Sequence, residues 1–481
     1  MPWLPAPTPR LRECLPPGIV LLLLFAAITW LSPQFEYGSD MLSRPIIPFI
    51  TLMLLAGIVY LYAVWRMHRV TNSPRFIIAL IAVGLGMRAL FFFSQPILED
   101  DFYRYLWEGG MVANGHSPYA HPPNDARFFD ADSGATPELI ALGDQAGITL
   151  DRVNHGSLTT VYPPTTQAAF AIAHFIKPWS LNAWRSILLL FDLGVCVLIL
   201  LILRKVERPY SQLIIYWWNP ILIKESFNSA HMDLIIVFFV MLAILAIVYQ
   251  RINLTGIALA LATAAKLWPL YLIPLFLRFS RALSPDRRRA LTIAGILLLI
   301  LMIPIFISSP LSDDSGFTAY SERWEMNDAL FMGINKVVHL SFASFQLEKN
   351  QLAMLARLLT LILLLIWIAV LMRRDNEHVD AFMNHLVLAV GLLFMLSPTQ
   401  FPWYYIWLLP LLALSPRLSY LTLSLTLPLY YLRFYYAALD QTLFFDNTIV
   451  WIEYAPVIAL LIYEHIRFKL GPAEYAGIIN A

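Results

Sequence analysis

Apolar residues run along this chain in long blocks, and the polar residues between them fall in short clusters. A run of about twenty apolar residues is enough to cross the hydrocarbon core as a helix. The blocks predict spans over 18–31, 46–65, 76–94, 184–203, 210–223, 234–249, 290–308, 352–372, 381–397, 406–414, 420–436 and 450–466. The block 165–176 is too short and is bounded by Pro164 and Pro178, so it reads as an interfacial helix. The block 254–277 is basic at both ends, and one span cannot have both ends on the same side. It predicts a broken or re-entrant pair that bends near Lys266-Leu267-Trp268-Pro269.

Lys and Arg set the orientation. Arg10 and Arg12, the cluster Arg66 to Arg75, Arg204 to Arg208, Arg373 and Arg374, Arg417, and Arg467 with Lys469 all fall at alternate block ends. They place both termini inside, with an even count of about twelve to fourteen spans. Three parts follow. Residues 1–94 form an N-terminal three-span segment. Residues 95–183 form an outer loop with juxtamembrane helices. Residues 184–481 form a transmembrane core with outer loops at 309–351 and 398–405.

Composition agrees: 59% of the 481 residues are hydrophobic and 14% are charged, which is a polytopic all-α membrane protein rather than a soluble domain. A net charge of +1 argues against nucleic acid as a partner. The two cysteines, Cys14 and Cys196, make no disulfide framework.

Against this background Glu99-Asp100-Asp101 stands out. Three acids sit where an apolar block ends and open Phe102-Tyr103-Arg104-Tyr105-Leu106-Trp107-Glu108-Gly109, an amphipathic surface helix. Acids at a membrane edge mark a functional site by default. The plain alternative is that Asp100 or Asp101 caps the helix, a task that needs one acid and not three. The topology brings Tyr162, the corner Lys224, Glu225, Asn228, His231 and Asp233, and the residues Arg323 and Gln400 to the same outer side.

The series Asp100-Asp101-x-Tyr103-Arg104-Tyr105-x-Trp107-Glu108-Gly109, then Pro118-Tyr119, then Tyr162-Pro163-Pro164, resembles the GT-C superfamily of membrane glycosyltransferases. It looks most like bacterial mannosyltransferase-like members that use polyprenyl-phosphate sugars. Asn219-Pro220, Asn228-x-x-His231-x-Asp233, Lys266-x-x-Pro269 and Pro402-Trp403-Tyr404 fit that group in order. The resemblance implies a helical bundle with its catalytic groups on the first large outer loop. It also implies a polyprenyl-phosphate-linked sugar donor, a glycan or lipid acceptor and inverting transfer, with one aspartate of this loop as general base. Two extra spans precede the motif here, and the acid pair aligns two ways. Asp101 has Tyr105 four residues on; Asp100 is followed directly by a second acid.

The residue types suit that chemistry on their own account. An acceptor hydroxyl must lose a proton, and Asp101 or Asp100 can take it. The leaving phosphate needs positive charge, from Arg, Lys or a divalent cation. Arg323, Lys266 and Arg88 are the candidate phosphate holders. Against each stands a plain role: Arg323 as a surface charge, Lys266 reaching to the interface, Arg88 paired with Asp192 inside the bundle. His231 and Asp233 are two ligands, too few to assert a metal, and Asp233 could simply cap the next helix. Tyr103, Tyr105, Trp107, Trp403, Tyr404 and Tyr405 could stack on sugar or isoprene, or sit at the interface as aromatic residues do. Two other classes stay open at this level: a transporter or lipid flippase with an outer-facing polar cavity, and a membrane protein that only assembles others. A flippase would want broken helices in two related halves, and no internal repeat is visible.

Overall fold

A computed structural model describes residues 11–67, 73–128, 135–280, 287–308, 315, 316, 319, 324–345, 347–374 and 378–479. The described chain is helical throughout, with no strand beyond an isolated bridge between Met326 and Thr399. Eight of its helices are long and apolar enough to cross a membrane. The protein is an all-α, multi-pass integral membrane protein.

The first three helices are α1 (Leu11–Leu31), α2 (Ile46–Met67) and α3 (Pro74–Phe91). The long loop expected on the outer side is mostly helical: α4 (Asp101–Ala113), α5 (Pro123–Arg127), α6 (Pro137–Ala146), α7 (Ile148–Asp151) and α8 (Pro164–Ile176). Its helices enclose a small core of their own, with Trp107 and Met111 of α4 against Leu139, Leu142, Leu150 and Val153. The loop is therefore a packed unit and not a tether. Helix α9 (Leu181–Lys205) returns to the bundle and packs on Leu234–Val248, which packs in turn on Ile252–Thr263.

Three stretches expected as plain spans are broken. Residues 210–223 fall into a 3-10 turn and two short helices, followed by a π-helical turn at Lys224–Asn228. Residues 420–436 divide into Leu418–Thr426, a 3-10 turn at Leu427–Tyr431 and Leu432–Ala438. Residues 402–414 begin as a 3-10 turn. Prolines 220, 402 and 428 stand at the first positions of these pieces, where a missing N–H costs nothing but continuation from the preceding turn is lost. The expected break near Lys266 is present: Ile252–Thr263 ends, and a 3-10 turn Trp268–Leu272 leads into Ile273–Ser280. Irregular backbone at such depth is tolerated where it lines a cavity, and the breaks near Lys266, at 402–407 and at 427–431 do so, through Trp268, Trp403 and Tyr430 among others. The second expected outer loop carries a helix, Ala329–Ser341.

Arg88 is fully buried and paired with Asp192. It also donates to the carbonyls of Gly84 and Trp217 at 2.9 and 2.8 Å, and its guanidinium lies 3.6 Å over the Trp217 ring. Tyr216 donates to the other oxygen of Asp192. Arg88 thus joins α3 to α9 and to the turn before Asn219, and it has no reach to a donor. Removing one partner of such a pair typically costs about 3–5 kcal/mol.

Candidate active site

The approach to the acids is set by Asn228 on the π-helical turn. Its amide donates to Ser94 Oγ and Gln95 O, and its oxygen accepts from the Ile97 amide at 3.0 Å. Arg185 clasps the same segment, donating to Ser94 O and Asn228 O at 3.2 Å each. Leu98 then adopts a left-handed conformation (φ 62°), which turns Glu99 to Asp101 into the interior. Asp100 occupies the N-cap position of α4, but its carboxylate makes no capping bond. Instead one amide, Asn154 Nδ2, donates to Asp100 Oδ1 at 2.8 Å and to Asp101 Oδ1 at 3.1 Å. The two acids are joined by a residue of the long loop, Asn154, about fifty residues on.

Arg104 has a different task. It donates to the carbonyls of Asn154, His155 and Leu158 at 2.7, 2.8 and 3.2 Å, and to Glu108 at 3.3 Å. Glu108 is buried and accepts from Thr160 at 2.7 Å and Gln167 at 2.6 Å. Burial raises its pKa against the pull of Arg104. This knot fastens the loop down onto α4 and α8.

Beneath it opens a cavity of about 480 Å³. Glu99, Asp100, Asp101, Arg104, Tyr105, Asn154, Tyr162, Asp233, Lys266, Trp403, Tyr404 and Arg433 are among the residues that line it. Asp100 is half-buried, and its carboxyl is pushed up to about 6, first by burial and then by the charge of Asp101. Burial holds Glu99 well above the ordinary range, with Lys224 pulling the other way. Asp101 is 28% exposed, and its Oδ2 stands 3.9 Å from His231 Nδ1, beyond hydrogen-bond range. Neither Oδ2 of the pair has a bonded donor among the described residues, and that of Asp101 is the one beside His231.

Asp233 does not cap the helix that follows it. Its Oδ1 accepts from Lys266 Nζ at 3.1 Å and from Trp407 Nε1 at 2.6 Å. The Lys266 ammonium also lies 4.0 Å from the Tyr404 ring centre and 4.8 Å from that of Trp407. It is a committed charge in the cavity wall. His231 is buried, 3.4 Å from Tyr105 Oη through Nδ1 and 3.5 Å from Glu225 Oε2 through Nε2. Glu225 belongs to a closed group with Lys224 and Tyr431. Among the described residues no three His, Cys, Asp or Glu come together as metal ligands.

The aromatic residues behave as walls. Trp403 is stacked on His231 (3.9 Å, 14°) on one side and on Phe401 (4.2 Å, 7°) on the other. Both ring faces are taken, so no sugar can lie flat on it. Tyr404 stacks on Trp407, and Tyr105 on Phe170.

Most of the residues expected at the site meet there, but Tyr103 and Gln400 do not. The Tyr103 hydroxyl accepts from Arg152 at 2.8 Å. Gln400 is fully buried and donates to the carbonyls of Met395 and Ser397. Arg323 lies outside the described residues. The sequence reading passed over Asn154 and Arg433. Asn154 sits in an ordinary polar stretch with no signal of its own. Arg433 had one: it is a lone charge in the aromatic run Tyr430-Tyr431-Leu432-Arg433-Phe434, and intramembrane charges are seldom idle.

No curated protein matches this chain. A family model does, over residues 160–398, and it is that of glycosyltransferase family 87. The match covers about half of the chain and takes in Tyr162, His231, Asp233 and Lys266, while Glu99 to Asp101 lie ahead of it. With its helical bundle, eight helices long and apolar enough to cross a membrane and a cavity lined by Glu99, Asp100 and Asp101, the chain belongs to glycosyltransferase family 87, a GT-C-type family of membrane glycosyltransferases.

Proposed function

We propose that this glycosyltransferase moves a hexose, mannose in the first instance, from a polyprenyl-phosphate sugar to a hydroxyl of a glycan or lipid acceptor. Transfer takes place on the outer face of a bacterial inner membrane and inverts the anomeric centre. The acceptor oxygen attacks the anomeric carbon, and the bond from that carbon to the phosphate oxygen breaks. Its electron pair leaves with the polyprenyl phosphate, and the acceptor proton passes to Asp101. The observation that carries this reading is the placing of Asp101 Oδ2, on a cavity-lining residue and 3.9 Å from His231 Nδ1, with no bonded donor among the described residues. Asp100 serves as its partner through the shared Asn154 amide. The mostly apolar lining of the chamber limits water at the donor, which would otherwise be hydrolysed.

Purified protein in lipid nanodiscs, given a synthetic polyprenyl-phosphate mannose and candidate acceptors, tests the chemistry. General-base catalysis is worth about 10²–10⁴-fold. Asp101→Asn should lose at least that much turnover while donor binding persists, and Asp100→Asn should lose less. Near-normal turnover in Asp101→Asn removes it as the base. Retained configuration in the product, read by NMR, removes the single displacement. Sidedness has its own arm. Ala120 is exposed on the outer loop. In a background lacking Cys14 and Cys196, Ala120→Cys should label in intact cells with an impermeant maleimide. Labelling only after permeabilisation turns the cavity to the inside.

A further inference from the structure

Three cations stand in the cavity wall: Arg104, Lys266 and Arg433. Arg104 is spent on three backbone carbonyls and Glu108. Lys266 is spent on Asp233 and two aromatic rings. Arg433, half-buried on Leu432–Ala438, makes no hydrogen bond and no ion pair with any described residue. Asp446 feels its charge without closing a pair. A guanidinium with five donors, half-buried in a largely apolar chamber and with no acceptor among the described residues, is placed to receive an anion.

Its position relative to Asp101 is informative. Asp101 Oδ2 lies beside His231. His231 is stacked on Trp403, and Trp403 meets Tyr430 edge-on at 6.5 Å between ring centres. Tyr430 stands one helical turn before Arg433, and Tyr430 and Phe434 line the same cavity. The His231–Trp403–Tyr430 row therefore leads from the acid at one end to the free guanidinium at the other. An inverting displacement needs that polarity, with the base on one side of the sugar ring and the leaving phosphate on the opposite side.

We infer that Arg433 holds the phosphate of the lipid-linked donor and takes up the charge that grows on it as the sugar leaves. This rests on the reading of the donor as a polyprenyl-phosphate sugar. The guanidinium fork receives two phosphate oxygens side by side, which a lysine cannot do. Arg433 displaces two of the three candidates drawn from sequence. Arg88 is sealed in the bundle and Lys266 is paired, while Arg323 lies outside the described residues.

The test separates this assignment from the donor class. Full-length protein in nanodiscs is titrated with polyprenyl phosphate and, separately, with the uncharged polyprenol. Wild type should prefer the phosphate. Arg433→Gln should lose about 10- to 100-fold of that preference, the worth of charge-assisted hydrogen bonds, and Arg433→Lys should keep part of it. In steady state the donor KM of Arg433→Gln should rise and kcat fall, with the acceptor KM unmoved. A monodisperse variant with wild-type melting excludes misfolding; if Arg433→Gln misfolds, Arg433→Lys and Arg433→Met carry the comparison. Wild type that prefers phosphate, beside an Arg433→Gln variant that keeps the preference, overturns the assignment alone. Wild type that holds polyprenol as tightly as polyprenyl phosphate overturns the donor class, and the role of Arg433 with it.

Discussion

Asn154 and Asp100 are expected to act on the reaction through charge. Asp100 is pushed up to about 6 by burial and by Asp101, and the Asn154 amide pulls it back down. Below that pH Asp100 gains a proton, and a protonated carboxyl beside Asp101 can donate to it and occupy the lone pair that the acceptor proton needs. Activity should therefore fall as pH drops through about 6. In Asn154→Ala the downward pull is gone, so the fall should begin at higher pH; in Asp100→Asn the titrating group is gone, and this limb should vanish. A pH profile of kcat/KM on the three proteins decides it, and an unmoved limb in both variants removes the pair from the titration. The acids were legible because three charges at the end of an apolar block have few innocent explanations. Asn154 was not, since its role depends on a fold that carries it across fifty residues of loop to meet them.

Among the elements, the pairing of α4 with α8 sets where Asp101 points. Gly109 allows it. A Cβ there would stand 2.5 Å from the Phe170 carbonyl oxygen and 2.7 Å from its carbon, both of them backbone. Neither can swing aside, so Gly109→Ala must push the two helices apart. Overpacking of this kind costs about 1–3 kcal/mol, and it tilts the helix whose first residue is Asp101. The variant should melt earlier in detergent and lose turnover by more than its folded fraction explains. Wild-type melting and turnover together would show that the contact is slack. The sequence marked α4 as an amphipathic surface helix and α8 as a short interfacial one; both helices are present, but α4 is buried over most of its length between Phe102 and Met111. It did not mark the breaks at 210–228 and 418–438. Hydropathy measures how apolar a stretch is, and a 3-10 or π turn of apolar residues is as apolar as a helix. The prolines gave a hint there that the block lengths concealed.

For the molecule as a whole, composition and block length were enough for the class, and the order of short motifs was enough for the family. The division of labour among its cations was not, because a charge in a sequence carries no sign of whether it is already paired. The knot around Arg104 has a consequence for traffic. Lifting the loop would strand a buried guanidinium and leave three carbonyls bare, so the roof of the chamber is a fixed vault and not a lid. The proposed lipid-linked donor is then expected to enter sideways from the bilayer and its spent carrier to leave the same way, with the acceptor arriving from the water. Turnover is expected to be paced by exchange with the membrane rather than by a gate. A disulfide engineered between the loop and α4 should leave the rate standing, whereas stiffer lipids should slow it; a rate that collapses on cross-linking would mean that the vault opens.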